Sequence, residues 1–182
     1  SASFRKDTVF TDIDGHWYTE AINWAVEQGI AVDDEGTGLF RPEDVCTRAS
    51  MVTFLWRAAG SPEPTIANPF TDVKEGDAWY KAALWACEKG ITKGYGSHDT
   101  FAPNANCSRA ETVLFLQRYA KAADGSSNNF TDVPAGAYYE GAVNWAYENK
   151  ITDGTSTGVF SPADYCYRGQ IITFIYRLLA GK

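Results

Sequence analysis

Repetition is the feature that most limits what this chain can fold into. Phe10-Thr11-Asp12-Ile13 returns as Phe70-Thr71-Asp72-Val73 and again as Phe130-Thr131-Asp132-Val133, 60 residues apart each time. Trp24-Ala25 returns as Trp85-Ala86 and Trp145-Ala146. Phe40-Arg41-Pro42 returns as Phe101-Ala102-Pro103 and Phe160-Ser161-Pro162. The 182 residues are therefore three copies of one unit, predicted at 8–60, 68–123 and 128–180. The joints are Ser61-Pro62-Glu63-Pro64 and Asp124-Gly125-Ser126-Ser127-Asn128-Asn129. A unit of about 50 to 60 residues buries too little surface to stand comfortably alone. The three must pack on one another, in a line or closed around a pseudo-threefold axis, and periodicity does not choose between these.

Each unit reads as helix, loop, helix, so the fold class is mainly α. The first helices are predicted over Tyr18–Gln28, Trp79–Lys89 and Tyr139–Asn149. In the first copy Ala21, Trp24, Ala25 and Gln28 share one face at i, i+3, i+4, i+7 spacing. The indoles Trp24, Trp85 and Trp145 are expected in the core, beside alanines that allow close helix contact. Gly29 and Gly90 are natural helix stops, whereas Lys150 at the third stop predicts a differently built turn.

Glycine-bearing loops follow, containing Asp33-Asp34-Glu35-Gly36, Gly94-Tyr95-Gly96 and Asp153-Gly154-Thr155. Second helices are predicted over Thr47–Ala59, Ser108–Ala122 and Tyr167–Leu179, each contacting its own unit and its neighbours. Ser108 with Glu111 three residues on has the form of a capping box.

Each second helix opens on an arginine: Arg48, Arg109, Arg168. A cation in the first turn is disfavoured by the helix dipole, so something must justify it. One account is an anionic ligand, a carboxylate or phosphate gripped by the guanidinium and helix-start N–H groups. The other is an intramolecular pair with a neighbouring unit's acid, with Asp12, Asp72 and Asp132 as candidates. Those aspartates also suit a local Asx-type turn. The loop glycines Gly94 and Gly154 allow either an anion-binding nest or a simple turn.

Composition removes several classes. A net charge of −7 argues against steering to nucleic acid, and no stretch is long and apolar enough to insert in a membrane. The two histidines, His16 and His98, are not repeated, and no nucleophile, P-loop or dinucleotide motif is present, so an enzyme is not expected. No cofactor is implied. Cys46, Cys107 and Cys166 hold one repeated slot before an apolar helix and read as small buried hydrophobes. A zinc site would require all three to converge at the repeat axis, and no metal is expected.

Each unit resembles a bacterial S-layer homology domain, whose pattern runs Phe-x-Asp-Val/Ile, Trp-Tyr-x-x-Ala-Ile-x-Trp-Ala, Gly-Ile-x-x-Gly, Phe-x-Pro and Ile-Thr-Arg-Ala-Glu. The first copy supplies Phe10-Thr11-Asp12-Ile13, Trp17-Tyr18-Thr19-Glu20-Ala21-Ile22-Asn23-Trp24-Ala25, Gly29-Ile30, Phe40-Arg41-Pro42 and Thr47-Arg48-Ala49. The second supplies Gly90-Ile91-Thr92-Lys93-Gly94 and Ser108-Arg109-Ala110-Glu111.

The resemblance implies three units around a pseudo-threefold central three-helix bundle, secreted to the bacterial cell surface. It implies a monomer that binds a cell-wall polysaccharide noncovalently, commonly one ending in a pyruvylated N-acetylmannosamine, through grooves between units. Surface-layer protein contacts would be further partners. By the resemblance Arg48, Arg109 and Arg168 hold the acidic sugar. Trp17, Trp79 and Tyr138 would stack on it, Gly94 and Gly154 would line the turns, and Asp12, Asp72, Asp132 and Glu111 would stand behind the arginines.

The copies also depart from the pattern. Ser50 and Gln170 stand where the second copy has Glu111, Asp33 stands where the others have Gly94 and Gly154, and Ala78 aligns with Trp17 and Tyr138. The third motif is Tyr167-Arg168-Gly169-Gln170. One or two grooves are therefore expected to be competent and one degenerate, with the best-preserved motif pointing first to Arg109. The alternative is a protein-interaction or surface-assembly scaffold whose grooves have decayed.

Overall fold

A computed structural model describes residues 10–181. Six helices account for its regular structure: α1 (Thr19–Glu27), α2 (Arg48–Ala58), α3 (Tyr80–Glu88), α4 (Arg109–Ala120), α5 (Glu140–Glu148) and α6 (Arg168–Ala180). All six fall where the apolar periodicity predicts them. The start predicted for the first unit, residue 8, lies outside the described residues.

Local chemistry sets the ends. Thr47 Oγ accepts the Ser50 N–H at 3.1 Å, and Ser108 Oγ accepts the Glu111 N–H at the same distance. Glu111 returns the favour by accepting the Ser108 N–H at 3.4 Å, completing the box. In the third copy Gln170 accepts the Tyr167 N–H at 2.8 Å. The first helices stop on left-handed residues, Gly29 at φ 73°, Gly90 at 71° and Lys150 at 59°. The third turn is thus built like the others, contrary to the expectation from its sequence. Lysine accepts a left-handed strain of about 1 kcal/mol there because the surrounding packing repeats.

Tertiary pairing runs between units. α3 packs on α2, α5 on α4, and α1 on α6, while α2 also touches both α4 and α6. A first helix therefore leans mainly on the second helix of the preceding unit, and α1 on α6 joins the last copy to the first. The same order governs the backbone. Cys107 N donates to Cys46 O at 2.9 Å, Cys166 N to Cys107 O at 3.0 Å, and Cys46 N to Cys166 O at 2.8 Å. This three-membered ring of bonds makes the arrangement closed rather than linear.

The core follows the repeats. Phe40, Phe101 and Phe160 are fully buried, as are Ile30, Ile91 and Ile151. Trp85 and Trp145 are buried as expected, and Trp24 packs against the core half-buried. The three ring cysteines have no exposed surface. They do converge, but among the described residues no group of three His, Cys, Asp or Glu is placed to hold a metal ion. Nor is any described helix long and apolar enough to cross a membrane.

Candidate functional site

The helix-start arginines are brought to equivalent places, each reaching across to the next unit. Arg48 Nε donates to the Phe101 carbonyl at 2.9 Å, Arg109 Nε to Phe160 at 2.7 Å, and Arg168 Nε to Phe40 at 3.0 Å. Each guanidinium also lies over two phenylalanine rings, one from Phe-x-Pro and one from the adjoining helix. Arg168 sits 4.7 Å from the Phe40 centroid and 5.2 Å from Phe54. This geometry exists only because the ring of units is closed: the arginine that completes the groove on the first unit comes from the third.

The aspartates do not pair with these arginines, and they do not make the expected local turns. Asp12 accepts the N–H groups of Phe40 and Arg41 at 2.9 and 2.8 Å. Asp72 accepts those of Phe101 and Ala102, and Asp132 those of Phe160 and Ser161, all at 2.8 Å. Their partners lie 28 to 30 residues away in sequence, so no short-range motif could reveal them. Burial works to raise the Asp132 carboxyl, but the backbone donors of Phe160 and Ser161 outweigh it and hold the group below the usual carboxylate range. Each aspartate thus fixes the peptide whose carbonyl receives an arginine.

Gly94 and Gly154 serve the turn rather than an open nest. Their N–H groups donate to Thr92 Oγ and Thr152 Oγ at 3.1 and 3.0 Å. Those threonines also face Arg48 and Arg109, at 3.4 and 3.5 Å. A Cβ at Gly154 would lie 2.3 Å from the Val159 carbonyl, which explains the glycine by close backbone approach.

The three grooves differ in what meets the guanidinium. On the second unit Arg48, 3% exposed, forms an ion pair with Glu111, and the Tyr95 ring lies 5.0 Å above it. Tyr138 from the third unit lies near that pair, for the Glu111 charge adds to burial in raising its hydroxyl. On the third unit Arg109 is also 3% exposed and meets only neutral acceptors. A cavity of about 500 Å³ beside it is lined by Tyr147, Glu148, Lys150, Thr152, Asp153 and Arg177, without Arg109 itself.

On the first unit Arg168 is half-buried and opens on a cavity of about 440 Å³. Ser50 occupies the place of Glu111 and accepts from Arg168 Nη1 at 3.3 Å. The walls include Trp79 and Asn104 from the second unit and Arg57 from the first, held by both oxygens of Asp34 at 2.8 and 2.9 Å. Burial lowers the basicity of both Arg109 and Arg168, and nearby carboxylates, Asp164 and Asp132 for the first and Asp44 and Asp34 for the second, offset it only in part. An anion reaching Arg168 would offset that cost.

The aromatic candidates separate in the same way. Trp79 lines the Arg168 cavity, and its indole N–H is buried with no hydrogen-bond partner. Tyr138, 75% exposed, and Trp17, 64% exposed, stand just before α5 and α1. The intact motif points to Arg109 in sequence, whereas the arginine that lines a cavity is Arg168, in the most altered motif. Sequence reasoning misses Arg57, Arg118 and Arg177, although their recurrence as the tenth residue of each second helix is a readable signal.

The S-layer homology domain family matches the chain three times, over residues 9–52, 69–113 and 129–172. An amylopullulanase of Thermoanaerobacterium thermosulfurigenes is 27% identical over 98% of the chain and 10% of its own length. The exoglucanase XynX of Acetivibrio thermocellus is 26% identical over 98% of the chain and 17% of its own length. A cellulosome-anchoring protein of Acetivibrio thermocellus is 31% identical over 85% of the chain and 34% of its own length. The chain thus spans from a tenth to about a third of these curated relatives.

Proposed function

The chain belongs to the S-layer homology domain family, and from that premise we propose that it anchors a secreted protein to the bacterial cell wall without catalysis. It does so by binding an acidic polysaccharide, of the pyruvylated kind that the family resemblance implies, in the cavity where Arg168 of the third unit meets the first and second units. The relatives support a cell-surface setting, since they include a cellulosome-anchoring protein and an S-layer protein. The enzyme names belong to proteins of which this chain matches only 10% and 17%. An anchoring module carried beside a catalytic part accounts for that coverage.

One observation carries the reading: the Arg168 guanidinium, hydrogen-bonded to the neutral Phe40 carbonyl and Ser50 hydroxyl, opens on a 440 Å³ cavity walled by Trp79, Ser50, Asn104 and the Asp34–Arg57 pair. A carboxylate of the ligand accepts from the guanidinium, and the indole supplies a flat apolar wall for a sugar face. Calorimetry with synthetic pyruvylated N-acetylmannosamine tests this. Removing one partner of a desolvated charge-assisted contact costs about 2 kcal/mol or more, so Arg168→Ala should weaken binding by about 30-fold or more. Equal affinity in both proteins removes Arg168 from the site, and no binding by the parent protein removes this sugar class.

Burial of Arg48 and Arg109 supports a second reading, a surface-assembly scaffold with filled grooves. Self-association or capture of S-layer subunits without sugar binding would favour it.

A further inference from the structure

Resting on that reading of the groove, we propose that Glu111 is a built-in occupant of the sugar-acid seat on the second unit. The third residue of each second helix then decides whether the groove beside it is open or shut. The residue acts by specificity and occupancy rather than by touching ligand.

Arg48, Arg109 and Arg168 make the same Nε bond to the same carbonyl of the next Phe-x-Pro, so their guanidinium groups present the same outward edge. At that edge the second unit places the Glu111 carboxylate against Arg48 Nη1, while the first places only the short Ser50 hydroxyl against Arg168 Nη1, at 3.3 Å. Where the residue is Ser50, a cavity stands in front of the arginine. Where it is Glu111, the arginine side chain is 4% exposed and the glutamate 20%, so the carboxylate fills the way in from solvent.

Glu111 is also held in place. Its other oxygen accepts from the N–H and hydroxyl of Ser108, at 3.4 and 3.2 Å, so the capping box that starts α4 aims the acid at Arg48. A ligand carboxylate must therefore displace an intramolecular carboxylate of the same charge with no ordering left to lose, a competition the internal group wins at moderate ligand concentration. In the third copy Gln170 keeps the capping bond to Tyr167 at 2.8 Å without a charge, which separates the two duties of the position.

The test exchanges the residues. In an Arg168→Ala background, where the first groove is disabled, Glu111→Ser should restore one binding site for pyruvylated N-acetylmannosamine. Ser50→Glu in the otherwise native protein should weaken binding at least 10-fold by closing the first groove. Glu111→Ala, which is equally short and keeps the bond from the backbone N–H of position 111 to Ser108 Oγ, serves where Glu111→Ser does not fold.

A second measurement follows the Arg48 Nε–H resonance by ¹⁵N NMR during titration with pyruvate. It should move in the Glu111 variants and stay still in the native chain. An unmoved Arg48 signal in a folded Glu111 variant, or unchanged affinity in Ser50→Glu, overturns the inference. Failure of the native protein to bind the sugar tells against the anchoring reading instead, and the pyruvate titration still decides the role of Glu111.

Discussion

Asp72→Ala isolates the device that positions every arginine. The Asp72 carboxylate accepts two backbone N–H groups, Phe101 and Ala102, at 2.8 Å each. Hydrogen bonds to a charged group contribute about 1.5–3 kcal/mol each, and the lower end applies because this carboxylate is partly solvated. Loss of both therefore costs about 3 kcal/mol. The chain is 182 residues, a size at which 1 kcal/mol moves the midpoint by about 2–4 °C. Thermal denaturation should show a fall of about 6–12 °C, with urea denaturation giving the same free energy.

The same carboxylate holds Ala102 in the left-handed region, at φ 57°. That conformation costs an alanine about 1 kcal/mol, so Ala102→Gly should recover up to that amount in either background. Because Phe101 also receives Arg48 Nε, the Asp72 variant should speed exchange of the Arg48 Nε–H with solvent. A loss below about 0.5 kcal/mol, or an Ala102→Gly protein less stable than its parent, would refute the reasoning.

Two further outcomes follow from the same geometry. Lys150→Gly should raise stability by up to about 1 kcal/mol in urea denaturation, since Lys150 holds φ 59° where the other copies have glycine; a loss of that size would mean its side chain matters more than its backbone. Burial pushes the Cys46 thiol up to about 12 and raises Cys107 and Cys166 as well, so these three should react with a disulfide reagent at pH 8 only after unfolding. Half-exposed Cys87 should label first, and four equal rates would contradict the packing of the ring.

Much of the fold was legible because it rests on short-range physics. Apolar spacing, the Ser108–Glu111 cap and the stops at Gly29 and Gly90 are all written within a few residues of where they act. The candidate site was legible only as a set of names. Arg48, Arg109 and Arg168 look alike in sequence, and the intact motif around Arg109 gave the better sequence argument. Their difference depends on what the next unit sets against each guanidinium: Glu111, neutral groups, or Ser50 with a cavity. That comparison spans contacts of up to 128 residues in sequence.

The sequence by itself determined that three equivalent helical units exist, that each opens its second helix on an arginine, and that none could bury enough surface alone. Only the tertiary structure decided that the ring closes, that the aspartates hold backbone rather than arginine, and that Arg168 lines a cavity while Arg48 and Arg109 are buried. The physical reason is that helices form from bonds four residues apart, whereas a groove is assembled from surfaces of different units. What meets the guanidinium is one side chain, Ser50 or Glu111, whose partner no local pattern specifies.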